Sequence, residues 1–374
     1  MTGYVISEEA LPQLTMTEGA RHSISGLSSG AFMAVQLHLA HAADFSGVGV
    51  IAGGPLACAA SYLGASTTVQ DACALGALYV AMTPLTKAAA PDPALLAQKA
   101  RKLSKDGLID PLDHLPDHQV YIFTGSKDTV VHSVVVQGTR DFYKALGTKE
   151  DNILFIDNVP AGHSIITTNP TDLPLDVNQP PYINKGDFMQ SRQILEFIYD
   201  QKRPEQKPDL KPKQSPSATD YAPGHLICFE QKTFLPAPGD WETASLGDYG
   251  FAYIPHEIYQ GKKAKGVHIA LHGCKQGYDY RNIIAGWVNS GNEPPYGLRY
   301  MTTTGYNDIA DEKDLVILYP QARAADSTKL QNPDGCWDWW GYTDPRANAL
   351  DYYTKKAVQI RAIYAEFQRL CGVN

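Results

Sequence analysis

The stretch RHSISGLSSGAFMAVQ, residues 21–36, constrains this chain more than any other. Ser28 stands between Gly26 and Gly30 in a Gly-x-Ser-x-Gly pattern, after an alternating run at 21–25 and before a run compatible with a helix. A serine on so sharp a strand-to-helix turn needs neighbours without bulk, because the backbone there is strained and packs closely on adjacent strands. The helix that follows leaves its first N–H groups free beside the serine, where they can steady developing negative charge. Such a short pattern also arises by chance, so a nucleophilic role for Ser28 needs partners elsewhere in the chain.

Those partners follow in order. Ala31, Ala34, Val35, Leu37 and Leu39 make a mostly apolar helix, and FSGVGVIAGG (45–54) reads as a short buried strand, the rhythm of a parallel sheet. A helix is expected over 93–106, opened by a proline. A β-rich run at 120–123 leads into Gly125, Ser126, Lys127 and Asp128, which places Asp128 in a loop at the carboxyl end of a strand. Catalytic groups of open α/β sheets collect at that edge. Another helix (134–146) and strand (153–156) precede His163, which lies in a glycine-containing loop. Ser28, Asp128 and His163 thus each follow their own strand, in the chain order of α/β-hydrolase triads. His132 competes for the base and Asp157 for the acid. The first shares a segment with Asp128 and reads as a residue at the site mouth or surface; the second falls at the end of the strand feeding His163. The proline-rich residues 169–182 are expected to form a lip over the site, and 191–200 a helix.

Residues 201–224 are rich in proline and lysine and read as an extended surface linker. Beyond it come strands at FAYIP, GVHIALHG and LVILYP, the aromatic cluster GCWDWWGY, and a final helix over 351–370. A serine hydrolase needs N–H donors aimed at the oxyanion, and one normally comes from a His-Gly loop on a strand preceding the nucleophile. Too few residues precede Ser28 to supply it. VHIALHGCKQ, residues 267–276, has that form but lies far downstream. Moving 225–374 in front of residue 1 restores the order oxyanion loop, aromatic loop, helix, elbow, acid, base. The chain therefore reads as one circularly permuted α/β-hydrolase domain over 1–374, with 1–200 carrying the triad, 201–224 joining ancestral termini and 225–374 carrying the oxyanion loop. Both ends of the chain should then lie on neighbouring elements.

In this permuted order, GLSSG, GSKDTVV, PAGHS, LHGC and GCWDWW resemble the single-domain, fungal-type extracellular poly(3-hydroxybutyrate) depolymerases, over nearly the whole chain. The resemblance implies Ser28 as nucleophile, Asp128 as acid, His163 as base, and the backbone N–H groups of Ser29 and Cys274 as oxyanion hole. It places Trp337 beside the ester. Trp339 joins it as an expected apolar floor for acyl chains, although large aromatics serve equally as core residues. His272 is expected to shape the oxyanion loop, and Cys274 to be disulfide-bonded, with Cys336 as its partner. The implied activity is hydrolysis of short-chain hydroxyacid polyesters through an acyl-enzyme, without cofactor or metal. A feruloyl or acetylxylan esterase shares the same catalytic groups, and a polymer-binding protein without turnover is the alternative of another class.

Charge and cysteines bound the setting. A formal charge of −8 and a pI near 5.7 argue against nucleic acid, which wants a dense basic surface. No run of about 18 apolar residues suggests a membrane span. Six cysteines without a Cys-x-x-Cys pair suit three disulfides, Cys58 with Cys73 first among them, and an oxidising compartment. A secreted or periplasmic monomer is expected, although MTGYVISEEALP lacks the basic start and apolar core of a signal peptide.

Overall fold

The computed structural model describes residues 6–61, 79, 81–203, 224–235, 237, 240–280, 295–326, 331–344 and 351–373. In chain order the strands of three or more residues are β1 (Ile6–Glu8), β2 (His22–Leu27), β3 (Phe45–Ile51), β4 (Gln119–Phe123), β5 (Ile153–Ile156), β6 (Ile165–Thr167), β7 (Ile183–Lys185), β8 (His225–Glu230), β9 (Tyr249–Ile254), β10 (Gly266–Leu271) and β11 (Leu315–Tyr319). The longer helices are α1 (Ser29–Ala40), α2 (Pro93–Lys105), α3 (Ser133–Leu146), α4 (Gln190–Asp200), α5 (Tyr306–Lys313) and α6 (Val358–Cys371).

Nine strands join in the order β1-β8-β9-β11-β10-β2-β3-β4-β5, while β6 and β7 pair apart from them. All neighbours run parallel except β9, which is antiparallel to both β8 and β11. If the strands from β8 onward are counted before β2, the eight after β1 read 1-2-4-3-5-6-7-8, with the second reversed. The elbow strand β2 sits in the middle, bonded on one side to β3 and on the other to β10, whose paired residues are 245 positions away in sequence. Every residue of β4, β10 and β11 is buried. Continuous apolar strands of this kind need cover on both faces, and helices supply it. Helix α1 is buried along its whole length, which explains why it is apolar all round and not on one stripe.

Local signals set several boundaries. Asp92 accepts from the N–H groups of Ala94 and Leu95, with Pro93 in the first turn, and so starts α2. Gly147 at φ 105° ends α3. The last helix begins at Val358 and not at 351. Thr354 accounts for the difference: its hydroxyl donates to Asp351 O and accepts from Lys356 N–H, offering the backbone a closed turn in place of a helix. Strands β1 and β8 are not apparent in the sequence pattern; the first is three residues long and half exposed.

The described ends meet. Leu14 N–H donates to Leu370 O at 2.9 Å, and Arg369 Nε to Leu11 O at 2.9 Å. Met1 and Asn374 themselves, most of the 201–224 segment and Cys73 lie outside the described residues. Among the described cysteines one bridge forms, Cys274–Cys336, while Cys58, Cys228 and Cys371 are free. The expectation of three disulfides is therefore corrected, and of the expected Cys58–Cys73 pair the described member, Cys58, is free. Among the described residues no helix is long and apolar enough to cross a membrane.

Candidate active site

Ser28 follows β2 with φ 57° and ψ −124°, a conformation that costs a residue with a side chain about 1–3 kcal/mol. The surroundings hold it there. Its N–H donates to Ile51 O at the end of β3, and its carbonyl accepts from Ala31 and Phe32 as α1 begins. Gly30 lets the end of β10 approach, since a Cβ on it would stand 2.4 Å from the carbonyl oxygens of Leu271 and His272. The His-Gly loop consequently lies against the elbow. A Cβ on Gly273 would come within 3.3 Å of Ser28 Cβ.

Asp128 and His163 meet across the loops after β4 and β5. His163 Nδ1 donates to Asp128 Oδ2 at 2.8 Å, with the side chains 3% and 1% exposed. The other carboxylate oxygen accepts from Val130 and Val131 N–H at 2.8 and 2.9 Å. With both oxygens acting as acceptors, the carboxylate fixes the Nδ1–H tautomer and leaves Nε2 free to take a proton. Asp157 is exposed at the end of β5, and His132 is half-buried beside Met82, its N–H donating to Met82 O. Neither is placed in this pair.

Two backbone donors, one in the elbow and one in the His-Gly loop packed on it, have no partner among the described residues. Among the described residues neither Ser29 N–H nor Cys274 N–H makes a hydrogen bond, whereas Gly273 N–H between His272 and Cys274 donates to Gln276 Oε1 at 2.6 Å. His272 is buried and joined at both ring nitrogens. Nδ1 donates to Gly273 O at 2.7 Å, and Nε2 accepts from Ala322 N–H at 3.1 Å. Burial lowers its pKa to about 4, so it stays neutral and structural.

The tryptophans take a different place from the one expected. Trp337 is 0% exposed: its indole N–H donates to His272 O at 3.0 Å, and its backbone N–H to Ser29 Oγ at 3.3 Å. Trp339 is 2% exposed and stacks on Phe32 of α1 at 3.9 Å. The expectation that these two rings form an acyl floor is corrected, because neither has an open face. They pack against the elbow and the His-Gly loop. Asp338 between them organises the turn, accepting from the N–H groups of Trp340, Gly341, Tyr342 and Thr343.

Three further residues escaped sequence reading. Asn178, in the 169–182 loop, accepts from His163 N–H (2.8 Å) and Thr129 N–H (3.1 Å) and donates to Lys127 O, so one amide holds the acid and base loops together. Tyr182 sets its ring edge-on to His163 at 5.4 Å. Gln276 is the third. An asparagine in a polar loop carries no pattern, and only its position between the histidine and the next helix could have drawn attention to it. His41, Asp44 and Asp110 are close enough to hold a metal, but Lys355 pairs with Asp110 and Tyr364 OH donates to Asp44.

The strand order is that of a circularly permuted α/β-hydrolase fold. By sequence it resembles poly(3-hydroxybutyrate) depolymerases over nearly its whole length. No family model matches the chain. It is 30% identical over 370 residues to a poly(3-hydroxybutyrate) depolymerase of Delftia acidovorans, across 98% of this chain and 63% of that protein. The chain thus spans less than two thirds of that relative. It is 27% identical over 379 residues to a polyhydroxybutyrate depolymerase of Talaromyces funiculosus, covering 97% and 95% of the two. Among solved structures, the PHB depolymerase from Penicillium funiculosum and a serine-to-alanine PHB depolymerase complexed with an R3HB trimer each share the fold. Both give a TM-score of 0.74 at 24% identity, over 97% of this chain and 99% of theirs.

Proposed function

We propose that this chain is a serine esterase that cleaves poly(3-hydroxybutyrate) or related short-chain hydroxyalkanoate polyesters and oligomers. Ser28 attacks the ester carbonyl as His163 Nε2 takes its proton; Asp128 holds the imidazole tautomer and stabilises the imidazolium. The tetrahedral oxyanion lies against Ser29 N–H and Cys274 N–H. His163 then protonates the leaving alcohol, and water releases the acyl group by the same steps in reverse roles. The observation that carries this reading is a pair of N–H groups without a partner among the described residues, Ser29 next to the strained Ser28 and Cys274 in the loop packed on it, contributed from opposite sides of residues 201–224. Donors fixed in advance for an oxyanion supply one of the largest single terms in ester hydrolysis. The curated relatives named above support the polyester as substrate. The whole chain acts here as one catalytic domain and as a monomer, and the Cys274–Cys336 bridge supports a secreted or periplasmic setting.

The test is release of soluble acid from a poly(3-hydroxybutyrate) film and from a feruloylated xylan, beside Ser28→Ala. Hydroxybutyrate is expected from the film and a loss of at least about 10³-fold in the variant, with adsorption to the film retained. Turnover surviving in Ser28→Ala would remove Ser28 as nucleophile. Ferulate alone would move the substrate to plant cell wall, and no release from either would leave a binding protein.

A further inference from the structure

The oxyanion loop ends in a glutamine that the chemistry above does not use. Gln276 is 3% exposed, and both ends of its amide are engaged: Oε1 accepts from Gly273 N–H at 2.6 Å, and Nε2 donates to Pro181 O at 2.6 Å. One partner is an N–H and the other a carbonyl, so the orientation of the amide is chemically fixed. The two partners belong to different parts of the site. Gly273 lies in the loop after β10. Pro181 lies in the segment that carries Asn178, which accepts from His163 N–H, and Tyr182, whose ring stands against His163 and whose carbonyl accepts from Ile165 N–H at 3.0 Å.

Peptide geometry turns this bridge into an aiming device. In a trans peptide the N–H points away from the C=O of the same unit. Cys274 N–H belongs to the unit whose carbonyl is Gly273 O, and His272 Nδ1–H holds that oxygen. The preceding unit is held through its own N–H by Gln276. Two consecutive peptide planes are thereby fixed, and the free Cys274 N–H has one direction left. After it, Lys275 N–H donates to Asp334 O at 2.7 Å, closing the loop on its other side.

We infer that Gln276 is a positioning residue for the oxyanion: it aims Cys274 N–H and couples that direction to the loop holding the catalytic histidine. The inference rests on the esterase reading. Loss of the amide leaves Gly273 N–H to seek another acceptor and frees the loop to tilt, which weakens the oxyanion contact more than ground-state binding.

Gln276→Leu removes both bonds. Gln276→Glu keeps an acceptor for Gly273 N–H but sets a carboxylate oxygen against Pro181 O. On p-nitrophenyl butyrate, kcat is expected to fall about 10- to 100-fold in the leucine variant, with KM within about twofold, and to fall less in the glutamate variant. The inhibition constant for butylboronic acid, whose adduct on serine places an oxygen at the oxyanion position, should rise by the same factor as kcat falls. Damage confined to folding would lower the active fraction and leave that constant unchanged, overturning the inference. Unchanged kcat in Gln276→Leu would overturn it as well. Hydrogen exchange over 272–276 is read in both proteins whatever their activity: Gly273 N–H should be protected in the wild type and exchange at least about tenfold faster in Gln276→Leu. A wild type that cleaves no ester would overturn the esterase reading alone. Equal exchange in the two proteins would overturn the role of Gln276.

Discussion

Gly30 shows how tightly single residues are set around Ser28. A methyl group there would meet two backbone oxygens at the end of β10 at 2.4 Å, and neither can swing aside as a side chain would. Gly30→Ala should therefore cost about 1–3 kcal/mol, read as a lower thermal midpoint, and should lower kcat by moving the two halves of the proposed oxyanion hole apart. Gly138, inside α3, is the contrast, because its nearest neighbour to a new Cβ is Pro91 O at 3.7 Å. Gly138→Ala should stabilise by about 0.5–1 kcal/mol through helix propensity and unfolded-chain entropy. Equal midpoints for the two variants would refute the steric account. At this scale the meeting of Asp128 with His163 was legible because each side chain follows a recognisable strand. Asn178 and Gln276 were not, since each binds main-chain atoms remote in sequence, up to 95 residues away for Gln276 and Pro181. Trp337 and Trp339 were misplaced for a related reason: an aromatic ring reads the same in sequence whether it faces a ligand or the back of a loop.

Elements are tied to one another by buried polar chains as well as by apolar packing. His38 on the elbow helix α1 bonds through Nδ1 to Tyr143 OH of α3 at 2.9 Å and through Nε2 to His118 Nδ1, just before β4, at 3.0 Å. Burial, followed by His118, holds His38 well below its ordinary value. Burial lowers His118 to about 4, with His114 and Arg21 acting in the same direction and Asp117 against it. Between pH 6.5 and 4 such a histidine is neutral in the folded chain and protonated in the unfolded one. The unfolded state then binds more protons, and stability falls as pH falls through this window. In urea, the wild type should lose more stability between pH 7.5 and 4.5 than His118→Asn does, by on the order of 1–2 kcal/mol. Identical losses would show that the pair does not couple α1 to α3 and β4 through its protonation. Long, regular elements such as α3, α4 and β10 were readable from their apolar patterns. Short or edge elements were not, because β1 has too few residues to show a period and its stability comes from pairing with β8.

Over the whole molecule, the order of elements along the chain and their order in space are separable, and this gives the strongest test of the permutation. Strands from both sides of residues 201–224 join in one sheet, with β8, β9, β11 and β10 between β1 and β2. Ser28, Asp128 and His163 come from one side and Cys274 from the other, so the proposed site exists only when both are folded together. The ends of the described chain are already adjacent through the bonds of Leu14 and Leu11 to residues 370 and 369. From residue 14 back to residue 6 the chain can span at most about 30 Å, which a linker of roughly twelve Gly and Ser residues covers. A chain starting at residue 224, running to 373, passing through that linker and continuing from 6 to 203 presents the oxyanion loop before the elbow. It loses no strand pairing and no bond of the site. Such a chain should unfold within about 5 °C of the original and hydrolyse p-nitrophenyl butyrate within about threefold of its rate, because loop closure changes stability only weakly with length. Failure to fold, in a series where linker length is also varied, would mean that the segment 204–223 contributes contacts the sheet depends on. The spatial order of the strands would then not suffice to specify the fold.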